Sequence, residues 1–115
     1  MDNDIVLYRY ADVLLMKCEA KVRNGESGDE ELNMIRLRAG MPERKATLEN
    51  ILAERQLEFV WEGWRRQDLV RFGMFTRSYS DRPQLPNEAN GYTTVFPIPD
   101  KVRAMNTNLT QNPGY

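Results

Sequence analysis

The segment Ala53–Gly73, AERQLEFVWEGWRRQDLVRFG, constrains the fold of this chain more than any other. It holds eight charged residues and four large aromatic residues within one span of helical character. On a continuous helix, charged side chains three and four positions apart share one stripe. That stripe would consist of Arg55, Glu58, Glu62 and Arg65. We therefore predict a packed helix in which an ordered row of charges lies beside an aromatic face.

The composition limits the classes of function that the chain can serve. Its 115 residues are enough for one domain, and a net charge of -1 gives no electrostatic case for nucleic acid binding. No apolar run approaches the roughly 20 residues of a membrane span. Histidine is absent, which excludes imidazole-dependent catalysis and the commonest zinc sites. We expect no catalytic residue, no metal and no cofactor.

The first two helices are expected to form an antiparallel hairpin, because only a few residues separate them. The first runs from about Ile5 to Asn24 and is apolar on two faces, so it is typical of a helix between two neighbours. The two faces are Leu7, Ala11, Leu14, Cys18 and Val22, and Tyr10, Val13, Met16 and Ala20. The second helix starts at Ser27, which has capping-box spacing with Glu30. Cys18 is interpreted as an inert buried thiol.

Further helices are expected up to residue 75, and a loop-rich segment from 76 to 115. Thr47 caps a third helix that ends near Glu62, and Gly63 separates it from a fourth helix over about Trp64 to Phe72. After these come a proline- and asparagine-rich loop, an extended Val95–Pro99 segment and one turn capped by Asp100. The predicted fold class is all-α, with a long irregular C-terminal segment.

The carboxylates of the charged stripe allow two interpretations of their role. Glu58 and Glu62, with Asp68 as a third oxygen ligand, have the spacing of an acid–base or metal site. Their expected neighbours are arginines, namely Arg55, Arg65 and Arg66, which lower carboxylate pKa values and compete with a cation. We therefore prefer a structural role in which these charges clamp the third helix to its neighbours. Trp61 is expected in the core.

Five residues are candidates for contact with a ligand. Trp64 follows the Gly63 break and offers an aromatic face that can stack on a sugar, with a core position as the alternative. The other four lie in the loop-rich segment, where tyrosine and asparagine make adaptable recognition surfaces. They are Tyr79, Asn87, Asn90 and Tyr92. Ordinary loop composition is the competing interpretation of these four.

Five segments in this order resemble the C-terminal region of the SusD/RagB family, and together they cover nearly the whole chain. They are RYADVLLMKCEA (9–20), IRLRAGM (35–41), ILAERQLEFVWEGWRRQDLVRFG (51–73), FPIPD (96–100) and NTNLTQNPGY (106–115). The resemblance implies a helical fold with tetratricopeptide-like hairpins. It also implies a non-catalytic, glycan- or nutrient-binding lipoprotein of the outer membrane of Bacteroidetes, which delivers oligosaccharide to a TonB-dependent transporter of the SusC type.

Members of that family are longer and begin with a signal peptide and a lipidated cysteine. Neither is found in this sequence, and Cys18 has no preceding lipobox, so we expect a fragment that corresponds to the C-terminal region. The alternative function is a generic helical-hairpin module that binds another protein and no sugar. Because the first helix is apolar on two faces, the chain is also expected to be capable of forming oligomers.

Overall fold

The computed structural model describes residues 4–79 and 82–115. The chain divides into two compact units, Met1–Arg65 and Arg66–Tyr115. The described residues form α-helices and short 3-10 turns, with one isolated β-bridge and no strand. The predicted all-α class is confirmed.

The first unit is built around a helical hairpin with a third helix packed on it. Its helices are α1 (Tyr10–Arg23), α2 (Asp29–Arg38) and α3 (Leu48–Glu58). The side chains that fill its core come from all three helices and the turn after α3. They are Leu14, Leu15, Cys18, Leu32, Ile35, Ile51 and Phe59. The predicted hairpin of the first two helices is confirmed.

Gly28 lets the two helices of the hairpin approach each other closely. A Cβ atom at this position would lie 2.7 Å from Sγ of Cys18 and 2.8 Å from the Cys18 carbonyl oxygen. The thiol itself donates a hydrogen bond of 3.2 Å to the Gly28 carbonyl. Burial raises the pKa of Cys18 to about 11, so the thiol stays protonated and unreactive near neutral pH, as predicted.

The starts of α1 and α2 differ from the prediction. α1 begins at Tyr10, because Arg9 has an extended backbone, and the expected core residue Leu7 is 71% exposed. α2 begins at Asp29 after Gly28. The Ser27 hydroxyl accepts a hydrogen bond of 3.2 Å from the Asp29 N–H, so the expected capping box with Glu30 does not form.

Thr47 caps α3 as predicted, since its hydroxyl accepts a hydrogen bond of 3.1 Å from the Asn50 N–H. The end of α3 was predicted wrongly, because the helix stops at Glu58 and the continuous charged stripe to Glu62 and Arg65 does not exist. Arg9 explains the stop: it donates a hydrogen bond of 2.5 Å to the Glu58 carbonyl, an acceptor that a longer helix would use itself.

Trp61 lies in the turn that follows α3, and its predicted place in the core is wrong. Its backbone is left-handed, with φ of 67°, and its side chain is 100% exposed. The core position is taken instead by Phe59, which is packed between the guanidinium groups of Arg9 and Arg55 at 4.7 and 4.8 Å from the ring centroid. The turn after α3 therefore places the Phe59 side chain in the core and the Trp61 side chain in solvent.

The second unit carries less regular structure. α4 (Arg65–Arg71) starts at the last residue of the first unit, within one residue of the predicted start, and Gly73 follows it with φ of 67°. After the Tyr79–Arg82 bridge come two 3-10 turns, Glu88–Asn90 and Tyr92–Thr94.

The last helix of the second unit is α5 (Asp100–Met105). Its N-cap residue is Pro99, and Asp100 is the first helical residue, so the predicted capping role of Asp100 is wrong. Phe96–Pro99 lies outside any helix, as its prolines predict.

Candidate functional site

The charged residues of α3 form ion pairs with both neighbouring helices. Glu54 pairs with Arg36 of α2, and both side chains are buried. Arg55 lies 3.3 Å from Asp12 of α1, again with both side chains buried. The third helix is clamped to its neighbours, as the preferred interpretation predicts.

The carboxylates that resembled an acid–base site are held by arginines. Glu58 accepts hydrogen bonds from Arg9 at 2.5 Å and from Arg38 at 2.7 Å, and Glu62 pairs with Arg9 at 2.9 Å. Asp68 lies 3.0 Å from Arg71. Helical spacing predicted Arg55, Arg65 and Arg66 as the neighbours of these carboxylates, whereas Arg9 and Arg38 are the arginines that bind Glu58.

A metal site finds no support in this arrangement. Among residues 4–79 and 82–115, no group of three or more histidine, cysteine, aspartate or glutamate side chains is placed to hold a metal ion. Arginine also neutralises Glu58 and Glu62, and an arginine beside a carboxylate competes with a bound cation.

Trp64 is the only one of the five candidate ligand residues in the first unit. Its side chain is half-buried, and one side of the indole meets the Tyr8 ring at a centroid distance of 5.3 Å and an angle of 47°. The Arg55 guanidinium lies 6.0 Å from the same ring system. Trp64 thus combines packing within the unit with partial access to solvent.

The other four candidates lie in the second unit, on the bridge and the two 3-10 turns. Asn87 is exposed, with φ of 62°, and precedes the first turn. Asn90 is exposed and ends that turn, where its side-chain oxygen accepts a hydrogen bond of 3.0 Å from the Tyr92 N–H. Tyr92 packs edge-on against Tyr115 at 5.2 Å. Tyr79 is half-buried beside Arg82.

Glu88 organises the loop that carries these candidates, and the sequence analysis missed it. Its carboxylate is fully buried and accepts hydrogen bonds from Arg82, from the Thr93 hydroxyl at 2.5 Å and from the Leu85 N–H at 2.9 Å. The bond from Arg82, together with that from Thr93, lowers the pKa of Glu88 to about 2. The available signal was that Glu88 is the one glutamate in the sequence of the loop-rich segment 76–115.

Arginine and aromatic side chains alternate through the second unit. The Arg66 guanidinium lies 4.2 Å from the Phe96 ring centroid and 5.0 Å from that of Phe75. Arg82 continues the series, 5.2 Å from Phe75 and 5.5 Å from Tyr79. Each guanidinium that stacks in this way also binds polar atoms. The contacts run in the order Phe96–Arg66–Phe75–Arg82–Tyr79.

The last two motifs of the sequence bind each other. The Gln111 amide donates to the Ile98 carbonyl at 2.9 Å and accepts from the Ile98 N–H at 2.8 Å. Asn112 donates to the Phe96 carbonyl at 2.7 Å, and the Tyr115 hydroxyl donates to the Val95 carbonyl at 2.8 Å. The motifs FPIPD and NTNLTQNPGY therefore form one hydrogen-bonded element without regular secondary structure.

Comparison with known proteins places these features in a family. The SusD family profile matches residues 1–115. The starch-binding protein SusD of Bacteroides thetaiotaomicron is 36% identical over 121 residues, which cover 99% of this chain and 22% of that protein. A SusD-like protein of Formosa agariphila is 40% identical over 86 residues, which cover 61% of this chain and 17% of that protein.

Solved structures give the same result. Surface glycan-binding protein A from Bacteroides thetaiotaomicron aligns with a TM-score of 0.80 at 31% identity, over 97% of this chain and 25% of that one. The same protein in complex with laminarihexaose aligns with a TM-score of 0.76 at 33% identity, over 96% and 25%. The chain thus spans about a quarter or less of the length of these relatives. From its match over residues 1–115 and its similarity to these proteins, the chain belongs to the SusD family.

Proposed function

We propose that this chain is part of a non-catalytic glycan-binding protein that takes up oligosaccharide at the outer membrane. One observation carries the proposal: the fold of the chain superimposes on a surface glycan-binding protein that was solved in complex with laminarihexaose. The starch-binding protein SusD is a second relative whose name describes carbohydrate binding.

The charged residues support a binding role over a catalytic one. General acids need raised pKa values and access to the substrate. Glu58 and Glu62 are instead hydrogen-bonded to Arg9, and Glu88 is fully buried with its pKa lowered to about 2. These carboxylates hold the scaffold together, so the proposed role makes and breaks no bond.

The ligand-binding residues proposed for this function are Trp64, Tyr79, Asn87, Asn90 and Tyr92. Asn87 and Asn90 have exposed amides that suit sugar hydroxyls, while Trp64, Tyr79 and Tyr92 keep partial exposure. Asn87→Gly removes the Asn87 amide and tolerates the left-handed backbone at this position, with φ of 62°. Asn90→Asp keeps the side-chain oxygen that accepts from the Tyr92 N–H but removes the amide donor. A loss of affinity in these two variants would support the assignment, and unchanged affinity in both would contradict it.

The proposed partner is a TonB-dependent transporter of the SusC type, and the proposed location is the cell surface, as an outer-membrane lipoprotein. No helix in the described part of the chain is long and apolar enough to cross a membrane. Co-expression with such a transporter, followed by purification through a tag on the transporter, tests the partnership. Failure of the two proteins to co-purify under conditions that preserve known complexes would contradict it.

Isothermal titration calorimetry tests the binding function directly. We expect the chain to bind laminarihexaose or maltohexaose, a fragment of starch, with heat that saturates at a defined stoichiometry. Glucose is the control, because it is a single sugar ring and not an oligosaccharide. Saturable binding of neither oligosaccharide would contradict the proposal for this chain.

A second function is favoured by one surface of α1. Tyr10, Val13 and Met16 lie on its outer face and are at least 45% exposed. A contiguous apolar face of this kind is typical of a protein–protein contact, either with another chain or with a second copy. Sedimentation velocity of the chain and of Val13→Glu tests it: association that Val13→Glu abolishes supports the contact, and a monomer at all concentrations contradicts self-association.

A further inference from the structure

Phe96 has the features of a rigid aromatic platform. Its side chain is 70% exposed, while the Arg66 guanidinium supports the ring at 4.2 Å from the centroid. Arg66 is itself fixed, because it donates hydrogen bonds to the carbonyls of Thr93 at 3.2 Å and Thr94 at 3.0 Å. The ring therefore has one face held by the protein and much of its surface open to solvent.

The backbone that carries Phe96 is held on both sides. Asn112 donates to the Phe96 carbonyl at 2.7 Å, and Gln111 forms hydrogen bonds with both the N–H and the carbonyl of Ile98. Pro97 and Pro99 restrict their own φ angles. A ring on such a backbone loses little conformational entropy when a ligand binds, which favours affinity.

Two other aromatic side chains, Trp61 and Tyr92, fit this role less well. Trp61 is fully exposed, so no protein group supports its indole. Tyr92 packs edge-on against Tyr115, and a Cβ atom at Gly114 would lie 2.6 Å from the Tyr92 side chain, so Tyr92 is less open to a ligand than Phe96. Among these three, Phe96 alone combines a supported ring with a large exposed surface.

We infer that the exposed face of Phe96 is a stacking platform for one sugar ring of a bound glycan. The flat face of a pyranose presents C–H groups, which match the apolar face of an aromatic ring. Asn112 donates to the Phe96 backbone carbonyl, so a polar side chain is held next to the backbone of the platform, and a sugar site requires such groups for its hydroxyls. This inference rests on the proposed glycan-binding function and adds a residue to it.

Calorimetric titration of the chain with laminarihexaose and with maltohexaose, repeated on three variants, tests the platform. Phe96→Leu keeps an apolar side chain but removes the flat face, so we expect affinity to fall about tenfold or more. Phe96→Trp keeps a flat face and should retain binding within about threefold. Trp61→Leu is the matched control at an unsupported aromatic residue, and its affinity should equal that of the parent chain.

The outcomes separate the platform from the wider function. Binding by the parent chain that Phe96→Leu leaves unchanged would overturn the platform and leave the glycan-binding function standing. Binding of neither oligosaccharide by the parent chain would overturn both. If Phe96→Leu unfolds, the parent complex is tested instead by nuclear Overhauser contacts between the Phe96 ring and sugar C–H protons. Such contacts support the platform, and their absence in a saturated complex contradicts it.

Discussion

The two units of this chain hold their structure by different means. In Met1–Arg65, ion pairs join residues far apart in sequence, such as Asp12 with Arg55 and Arg36 with Glu54. In Arg66–Tyr115, ion pairs such as Arg82 with Glu88 join residues close in sequence, and side chains also bind backbone carbonyls, as Arg66 binds Thr93 and Thr94. Helices satisfy their own backbone groups, whereas a loop needs side-chain partners for them. Charged residues are thus free to join helices in one unit and are needed to build loops in the other.

The first unit should break most severely when one buried ion pair loses a member. Glu54→Ala leaves Arg36 buried without its carboxylate, which we expect to cost about 3–5 kcal/mol in the free energy of unfolding. Urea denaturation followed by circular dichroism measures the loss. Asp100→Ala is the control, because its side chain is 95% exposed and its pairing with Arg103 should contribute less than about 1 kcal/mol.

A double substitution tests whether the unpaired charge of Arg36 causes this loss of stability. Arg36→Met combined with Glu54→Leu removes both charges and leaves none unpaired, so we expect much of the stability to return. A double variant as unstable as Glu54→Ala alone would show that packing volume, and not the stranded charge, sets the cost.

The close approach at Gly28 is a second way to break the first unit. Gly28→Ala places a Cβ atom 2.7 Å from the Cys18 sulfur, and we expect a loss of about 1–3 kcal/mol from overpacking. Cys18→Ala in the same background removes the sulfur but leaves the backbone contact of 2.8 Å, so the rescue should be partial. Thermal unfolding of the parent chain and of the two variants checks this order. Full stability in Gly28→Ala would contradict the close packing of α1 on α2.

Acid should weaken both units, through one buried carboxylate in each. Burial alone would raise the pKa of Glu31, but hydrogen bonds from Lys17 and Lys21 lower it to about 2. Hydrogen bonds from Arg82 and Thr93 lower the pKa of Glu88 to about 2 as well. Because the folded-state values lie below the ordinary value of about 4.5, the stability from each group is complete above that pH. It is lost as the pH falls towards 2.

Potentiometric titration of folded and urea-unfolded chain measures this effect as protons taken up on unfolding. Between pH 4.5 and 2, Glu31→Gln and Glu88→Gln should each reduce the uptake by up to about one proton. Glu26→Gln is the control, since Glu26 is exposed. Unchanged uptake in both variants would show that the two carboxylates titrate normally.

The smallest expected effect lies at the turn after α3. Trp61 has a left-handed backbone and makes no buried contact, so Trp61→Asn should stabilise the first unit by roughly 0.5–1 kcal/mol. Val60→Asn is the matched control, because Val60 is also exposed but does not have a positive φ. Denaturation midpoints compare the two. Destabilisation by Trp61→Asn would mean that the indole makes a contact in solution that its exposed position does not show.

Local patterns in the sequence predicted local features well. Thr47 capped α3, Cys18 was buried, and the proline-rich Phe96–Pro99 segment stayed out of helix, because each outcome depends on neighbours along the chain. The wrong predictions concern features that depend on residues far away in the sequence. The end of α3 depends on Arg9, which lies 49 positions before Glu58 and binds its carbonyl. Helical spacing carries no information about such a contact.

The candidate site shows the same limit. Tyr79, Asn87, Asn90 and Tyr92 were chosen by residue type, and whether they bind a ligand remains a prediction. Glu88 was missed because its importance comes from burial and from the meeting of Arg82 and Thr93 at its carboxylate. The sequence shows Phe96 only as part of the motif FPIPD, because its exposure and its contact with Arg66 depend on the three-dimensional structure.

The central claim is that the first three helices serve as scaffold while the residues that contact the glycan lie after them in the sequence. Titration of the 15N-labelled chain with laminarihexaose, followed by amide chemical shifts, tests it most directly. The account predicts saturable shifts, with the amides of α1, α2 and α3 unchanged. The shifts should be concentrated at the proposed contact residues, which are Trp64, Tyr79, Asn87, Asn90, Tyr92 and Phe96. Shifts confined to those three helices, or no shifts at saturating oligosaccharide, would contradict it.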